Sequence, residues 1–197
     1  MDVTVIVTTF GDPWWEQLAM ERAYRSAIPQ AMTVMHHTNE CVSLGDARNQ
    51  AVDRYDPQDW ICFLDADDEL APGYIDAMSN VPHVDESYLL IPSQQYGVGG
   101  EVVCHMHRKI MKMNPCPIGT LIHRSMFEEA GRFWDEPAWE DWSLFRRAFI
   151  LDAKLEFVRN AIYIDHASVT GRNSNVSNPK RLWRSIVKSH ETWALNR

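Results

Sequence analysis

Three apolar, β-branched runs near the start of the chain, each divided from the next by a helical pattern, constrain the fold more than any other feature. "VTVIVTTF" (3–10) is apolar without alternation, as a strand covered on both faces must be. After "GDP" comes "WWEQLAMERAYRSA", in which Trp14, Leu18, Ala19, Ala23 and Ala27 recur at helical spacing. "MTVMHHT" (32–38) reads as a second strand, and Asp46 is placed to cap a helix through "ARNQAVDRY". "WICFLD" is a third strand, after which Pro72 opens a short helix, "PGYIDAMS". Strand–helix–strand–helix–strand predicts a mostly parallel α/β sheet with right-handed crossovers and flanking helices.

The pattern changes after residue 70. "SYLLIPS" predicts a strand and "YGVGGEVV" a turn with a hairpin, while 114–124 reads as irregular. "RSMFEEAG" is a short helix ended by Gly131; "EDWSLFRRAFIL" is a longer one with Leu144, Phe145, Ala148 and Phe149 on one face. "AIYIDH" is a last strand, "GRNSNVSNP" a polar segment, and "KRLWRSIVKSHETWAL" an amphipathic helix carrying Leu182, Trp183, Ile186, Val187, Trp193 and Ala194. At 197 residues this fits one domain with a real core.

The net charge of −8 argues against a generally basic, nucleic-acid-binding surface. Yet from Arg172 to Arg197 there are six Lys or Arg and one acid, Glu191, and a second basic knot, "HRKIMK", covers 107–112. The four cysteines form no CxxC pair, which reads as a reducing compartment. "MDVTVIVTTF" lacks the basic start of a signal peptide, and no run is long enough to span a bilayer. The expected location is the cytoplasm, including the edge of a membrane or the host cytoplasm of a phage.

The third strand ends in Asp65, Asp67, Asp68 and Glu69. Two unit charges about 4 Å apart repel by roughly 1 kcal/mol in water and about 4 kcal/mol at an intermediate dielectric. Such a cluster calls for open solvent, raised pKa values or a cation. In open α/β sheets ligands bind beyond the carboxyl ends of the strands. That rule groups Thr8, Thr9 and Asp12 after the first strand, the 36–40 segment with Glu40 after the second and Asp65 to Glu69 after the third; Arg48 and Asn49, in the first turn of the helix before the third strand, can join them.

The ordered pieces "VTVIVTTFGD", "SLGDARNQAV", "FLDADDEL", "GTLIHRSMFEEAGRF", "WEDWSLFRRA" and "AIYIDHASVT" resemble a family-2-type glycosyltransferase of the GT-A fold over about residues 3–170. The resemblance implies a nucleotide-sugar half over about 1–92 and an acceptor half over about 93–170, with 171–197 a basic segment and helix of the same domain. It implies that Thr8 and Thr9 line the base pocket, that Asp12, Glu40 and Ala66 lie beside the donor, that Arg48 contacts the nucleotide and that Asp65 meets the ribose hydroxyls. "DAD" would be the DxD motif, with Asp67 and His166 holding Mn²⁺ or Mg²⁺. "ED" would supply Asp141 as general base and Glu140 as acceptor ligand, two roles that could be exchanged. Trp139 and Trp142 would flank the acceptor or serve as ordinary core.

The implied function is inverting, metal-dependent transfer from a nucleotide-diphosphate sugar, a UDP-sugar first, to a hydroxyl. The acceptor, whether glycan, lipid, protein or modified DNA base, stays open, as does monomer against dimer. Two alternatives stand beside it. "CFLDADDEL" also resembles the DxD strand of haloacid-dehalogenase-type phosphohydrolases, with Asp65 as nucleophile and Asp67 as acid/base. The other is a GT-A-like module that binds nucleotide or glycan without catalysis. The basic tail is expected near the acceptor, with Trp183 and Trp193 forming a face for lipid.

Overall fold

The computed structural model describes residues 1–40, 43–106, 109–166 and 177–196. Strand β1 (Val3–Phe10) is buried almost throughout and pairs in parallel with β2 (Met32–Thr38) on one side and β3 (Trp60–Leu64) on the other. The run that links β1 to β2 is α1 (Trp14–Ala19), a π-helical turn (Met20–Tyr24) and α2 (Arg25–Ala27). Ala19, Ala23 and Ala27 are fully buried along it, and their small side chains let its backbone lie close to the sheet. Helix α3 (Leu44–Tyr55) joins β2 to β3 and buries Ala47, Ala51 and Val52. Its cap is Ser43, whose hydroxyl accepts the Asp46 N–H at 3.1 Å. Asp46, expected as the cap, sits inside the first turn instead, where its charge meets the positive end of the helix.

Next come β4 (Glu69–Leu70), α4 (Tyr74–Ser79), β5 (Tyr88–Tyr96) and β6 (Val102–Val103). They are followed by β7 (Leu121–His123), α5 (Arg124–Glu129), α6 (Glu140–Ile150), β8 (Lys154–Asp165) and α7 (Pro179–Leu195). Gly73, at φ +81°, stands at the head of α4, so Pro72 precedes the helix instead of opening it. The hairpin forms as expected, with β6 antiparallel to β5. The supposedly irregular 114–124 holds β7, too short to show alternation, inserted antiparallel between β3 and β5. Strand β8 begins at Lys154, earlier than expected; its first half alternates exposed Lys154 and Glu156 with partly buried Leu155 and Phe157, the period of a half-buried strand.

The sheet runs β2–β1–β3–β7–β5–β8–β4, with β6 beside β5. It is parallel through β2–β1–β3 and β5–β8 and antiparallel at its other joins. This is an α/β fold of GT-A type, a mixed sheet flanked by helices.

One apolar cluster extends from Val3 in β1 to Ile186 in α7. Leu144, Phe145 and Ala148 of α6 are buried in it, but Phe149 is exposed. Arg146 and Arg147 take buried places in α6. Arg147 lies over the Trp134 ring and donates to the carbonyls of Ala130, Arg132 and Ser143; burial pushes its pKa down to about 9. Arg146 bonds His190 Nδ1 at 2.7 Å, and His190 Nε2 bonds Ser143 Oγ at 2.9 Å. Arginine cannot accept, so Nδ1 must, and the proton of a neutral imidazole sits on Nε2. Burial and the two arginines hold the pKa of His190 down at about 3. Trp183 stacks on Trp142 and Trp193 meets Trp134 edge-on. The face expected to meet lipid is therefore packed inward, Trp183 on α6 and Trp193 on the segment before it.

Candidate active site

The chain leaves β3 in a turn closed by the Asp68 N–H donating to the Asp65 carbonyl at 3.2 Å. Asp65 is partly exposed, and its Oδ1 accepts from Arg48 Nη2 at 2.5 Å. The other arm of the same guanidinium, Nη1, reaches Glu140 Oε1 at 2.8 Å. Only 2% of the Arg48 side chain is exposed, and it lies over the Phe133 ring. Burial opposes its charge, but the two carboxylates more than compensate and hold its pKa above the ordinary value. Arg48, expected to contact the nucleotide, is the buried bridge between the end of β3 and the start of α6.

Asp67 is partly exposed. Burial first, then the charge of Asp65, pushes its pKa up to about 6. Arg22, in the π-helical turn, donates to the Asp67 carbonyl at 3.2 Å. Asp68 is buried and takes a different part: Tyr163 Oη donates to its Oδ2 at 2.5 Å and the His166 N–H to its Oδ1 at 2.8 Å. Burial and the charge of Asp65 raise its pKa well above the carboxylate range. Asp68 therefore ties the acidic turn to the end of β8. His166 Nε2 pairs with Glu69 at 2.9 Å, so the ring expected beside a metal turns to a neighbouring carboxylate. Among the described residues no group of three or more His, Cys, Asp or Glu is set to hold a metal ion.

Asp141 stands in the first turn of α6 with Asn114 Nδ2 donating to its Oδ2 at 2.9 Å. Burial, then the charge of Glu140, pushes its pKa up to about 7, against the opposing charge of Arg48. Trp139, at the head of α6, has left-handed backbone at φ +61°, a conformation costing a non-glycine residue on the order of 1 kcal/mol. It is half-buried. Trp142 is a packing residue: 3% exposed, stacked on Trp183 and donating Nε1–H to the Ile110 carbonyl at 2.7 Å. Its alternative place beside an acceptor is corrected by that burial.

Thr8 and Thr9 are buried at the end of β1. Thr9 Oγ1 bonds His37 Nδ1 at 2.9 Å, and Thr8 Oγ1 is buried without a partner. Ala66 is buried within the turn after β3. Asp12 is exposed and its Oδ1 accepts the Trp14 N–H at 2.9 Å, closing the turn that leads into the first helical run. Glu40 is exposed past β2, its N–H on Thr38 Oγ1. Sequence reasoning brought Arg48, Asp65, Glu140 and Asp141 to one site but missed Asn114, Tyr163 and Arg22. No local motif marks any of these three; each matters through contacts with residues distant in sequence.

The sheet order and the acid-lined end of β3 define a GT-A domain. The family model for Glycosyl transferase family 2 matches residues 18–148, more than half of the chain, and the chain belongs to that family. Comparison with curated proteins returns no significant match. Among solved structures, the TarS fragment 1–349 of S. aureus in complex with UDP-GlcNAc is similar at a TM-score of 0.65 and 12% identity, over 96% of this chain and 66% of that one. A longer S. aureus TarS structure gives 0.62 at 15% identity, over 85% of this chain and 37% of that one. A mannosyltransferase from Pyrobaculum calidifontis in complex with GDP-Man and Mn²⁺ gives 0.57 at 12% identity, over 99% and 64%. This chain therefore spans about a third to two thirds of the length of these structures. Family membership and sheet order displace the phosphohydrolase reading.

Proposed function

We propose that this domain moves a sugar from a nucleotide-diphosphate sugar, a UDP-sugar first, to an acceptor hydroxyl with inversion at the anomeric carbon. The observation that carries the reading is Asp141: a carboxylate raised to about 7, fixed by Asn114 and joined through Glu140 and Arg48 to the turn after β3. A pKa near working pH is what a general base needs. Asp141 takes the acceptor proton as oxygen bonds the anomeric carbon; the bond to phosphate breaks and the nucleoside diphosphate leaves with its electron pair. One displacement from one side inverts the centre. Glu140, committed to Arg48, orients the base in this reading, and the half-buried Trp139 offers a ring for a sugar face.

The donor lies beyond β1 and β3, with Thr8, Thr9 and Ala66 along its base and Asp65 offering its outer oxygen to the ribose. Two relatives in fold bind UDP-GlcNAc and GDP-Man, the latter with Mn²⁺, which supports a nucleotide sugar and a divalent ion. The residues fit a hard ion: Asp67 would supply an oxygen ligand, partly exposed, its pKa raised by burial first and then by the charge of Asp65. His166 would reach the ion through Nε2 only by leaving Glu69, so Asp67 is the residue that would hold it. When bound, such an ion neutralises the charge gathering on the diphosphate.

Thermal melting with UDP-, GDP-, TDP- and CMP-sugars, with and without Mn²⁺, tests the reading. A ligand at about 100 times its Kd adds roughly 2.7 kcal/mol, a rise of about 5–10 °C in a chain of this size. One nucleotide should raise the midpoint, only with metal, and Asp67→Ala should remove that rise. Binding with neither transfer nor slow hydrolysis would leave a recognition module.

A further inference from the structure

In a chain of net charge −8, two segments rich in exposed cations pack against Trp142, the neighbour of Asp141. Trp142, next to Asp141, anchors two segments at once. Its Nε1–H holds the Ile110 carbonyl and its ring stacks on Trp183 at 6.4 Å between centroids. Asn114 adds a second tie, from the end of the first segment to Asp141.

In that first segment, the N–H groups of Lys112 and Met113 return to the Lys109 carbonyl at 2.7 and 3.0 Å. The turn buries Ile110 and exposes Lys109, Met111, Lys112 and Met113. The second segment is α7. Its buried side presents Ile186 and His190, with Leu182, Trp183 and Val187 packed beside them. Its outer side exposes Lys180, Arg184 and Lys188 at four-residue spacing, with Arg181 beside them. Leu195, 87% exposed, ends the helix.

The turn sets lysine beside exposed methionine and α7 adds a row of cations with one acid, Glu191, past it, a combination that suits a bilayer better than a nucleic acid. Cations meet anionic headgroups while flexible apolar side chains enter the interface. A single-stranded nucleic acid would use stacking rings, and the rings here, Trp142 and Trp183, face each other. We propose that this face docks the domain on an anionic lipid surface, bringing Asp141 to acceptors carried there. The orientation rests on Asp141 as the base; the docking does not.

The test is co-sedimentation of the full chain with phosphatidylcholine vesicles, with and without phosphatidylglycerol, alongside donor-induced melting shifts. Binding should need the anionic lipid and fall with salt. Each cation near such a surface contributes about fivefold in partition, so Lys180→Glu/Arg184→Glu/Lys188→Glu should lose more than tenfold while keeping its donor shift. The neutral Lys180→Gln/Arg184→Gln pair stands in if the triple variant does not fold. Met111→Ser/Met113→Ser should weaken binding with the salt dependence unchanged. Equal binding to neutral vesicles, or variants that bind like the parent, would overturn the proposal. So would retention of DNA, lost in the triple variant, without vesicle binding. Vesicle binding without any donor shift would sink the transferase reading and leave the docking intact.

Discussion

Arg48 answers for two acids at once, and its removal tests what a buried cation does here. Arg48→Met leaves Asp65 and Glu140 without their partner in a poorly solvated place, which should cost about 3–5 kcal/mol in urea denaturation. Arg48→Lys should not restore it, since one ammonium lacks the fork that spans both carboxylates. Asp141 works the other way. Its folded pKa of about 7 exceeds the ordinary 3.8, so the folded chain holds the proton more tightly and stability falls as pH rises from about 4 to about 7. Asp141→Asn removes that cost: the variant should melt higher than the parent at about pH 8, by roughly 1–2 kcal/mol, and the gap should close toward about pH 4. The same variant should keep its donor shift and lose transfer, while parental transfer rises with pH through about 7.

Elements were legible where a periodic pattern ran long enough. β1, β2, β3, α6 and α7 could be read directly because apolar positions recur without interruption. β7 has three residues, fewer than any alternation needs, and it is recruited by the edges of β3 and β5. The first half of β8 alternates Lys154 and Glu156 outward with Leu155 and Phe157 inward, but over a few residues only, and its pairing with β5 fixes it as a strand. Gly119, just before β7, belongs to this tertiary class. A Cβ there would stand 2.4 Å from the Tyr163 ring and 3.0 Å from Tyr74 Oη. Tyr74 donates to the Gly119 carbonyl at 2.7 Å, and Tyr163 holds Asp68. Gly119→Ala should therefore cost about 1–3 kcal/mol and weaken donor binding beyond that, read by comparing chemical and donor-dependent melting.

Across the whole molecule, the sheet and its apolar cluster join chain from β1 to α7. Far- and near-ultraviolet circular dichroism should give coincident melting curves, as a single cooperative unit requires; a separate early loss of the α7 tryptophan signal would contradict this. The acids of the site were visible in the sequence because four lie together after an apolar run and two head a helix. Their linkage was not, since positions 48, 65 and 140 become neighbours only when α3, β3 and α6 meet. That linkage has a consequence for inheritance. A buried guanidinium that loses either acid is worse off than an apolar side chain of its size. Related chains in which one acid is replaced should therefore have lost the arginine too, and the three positions should descend as a set.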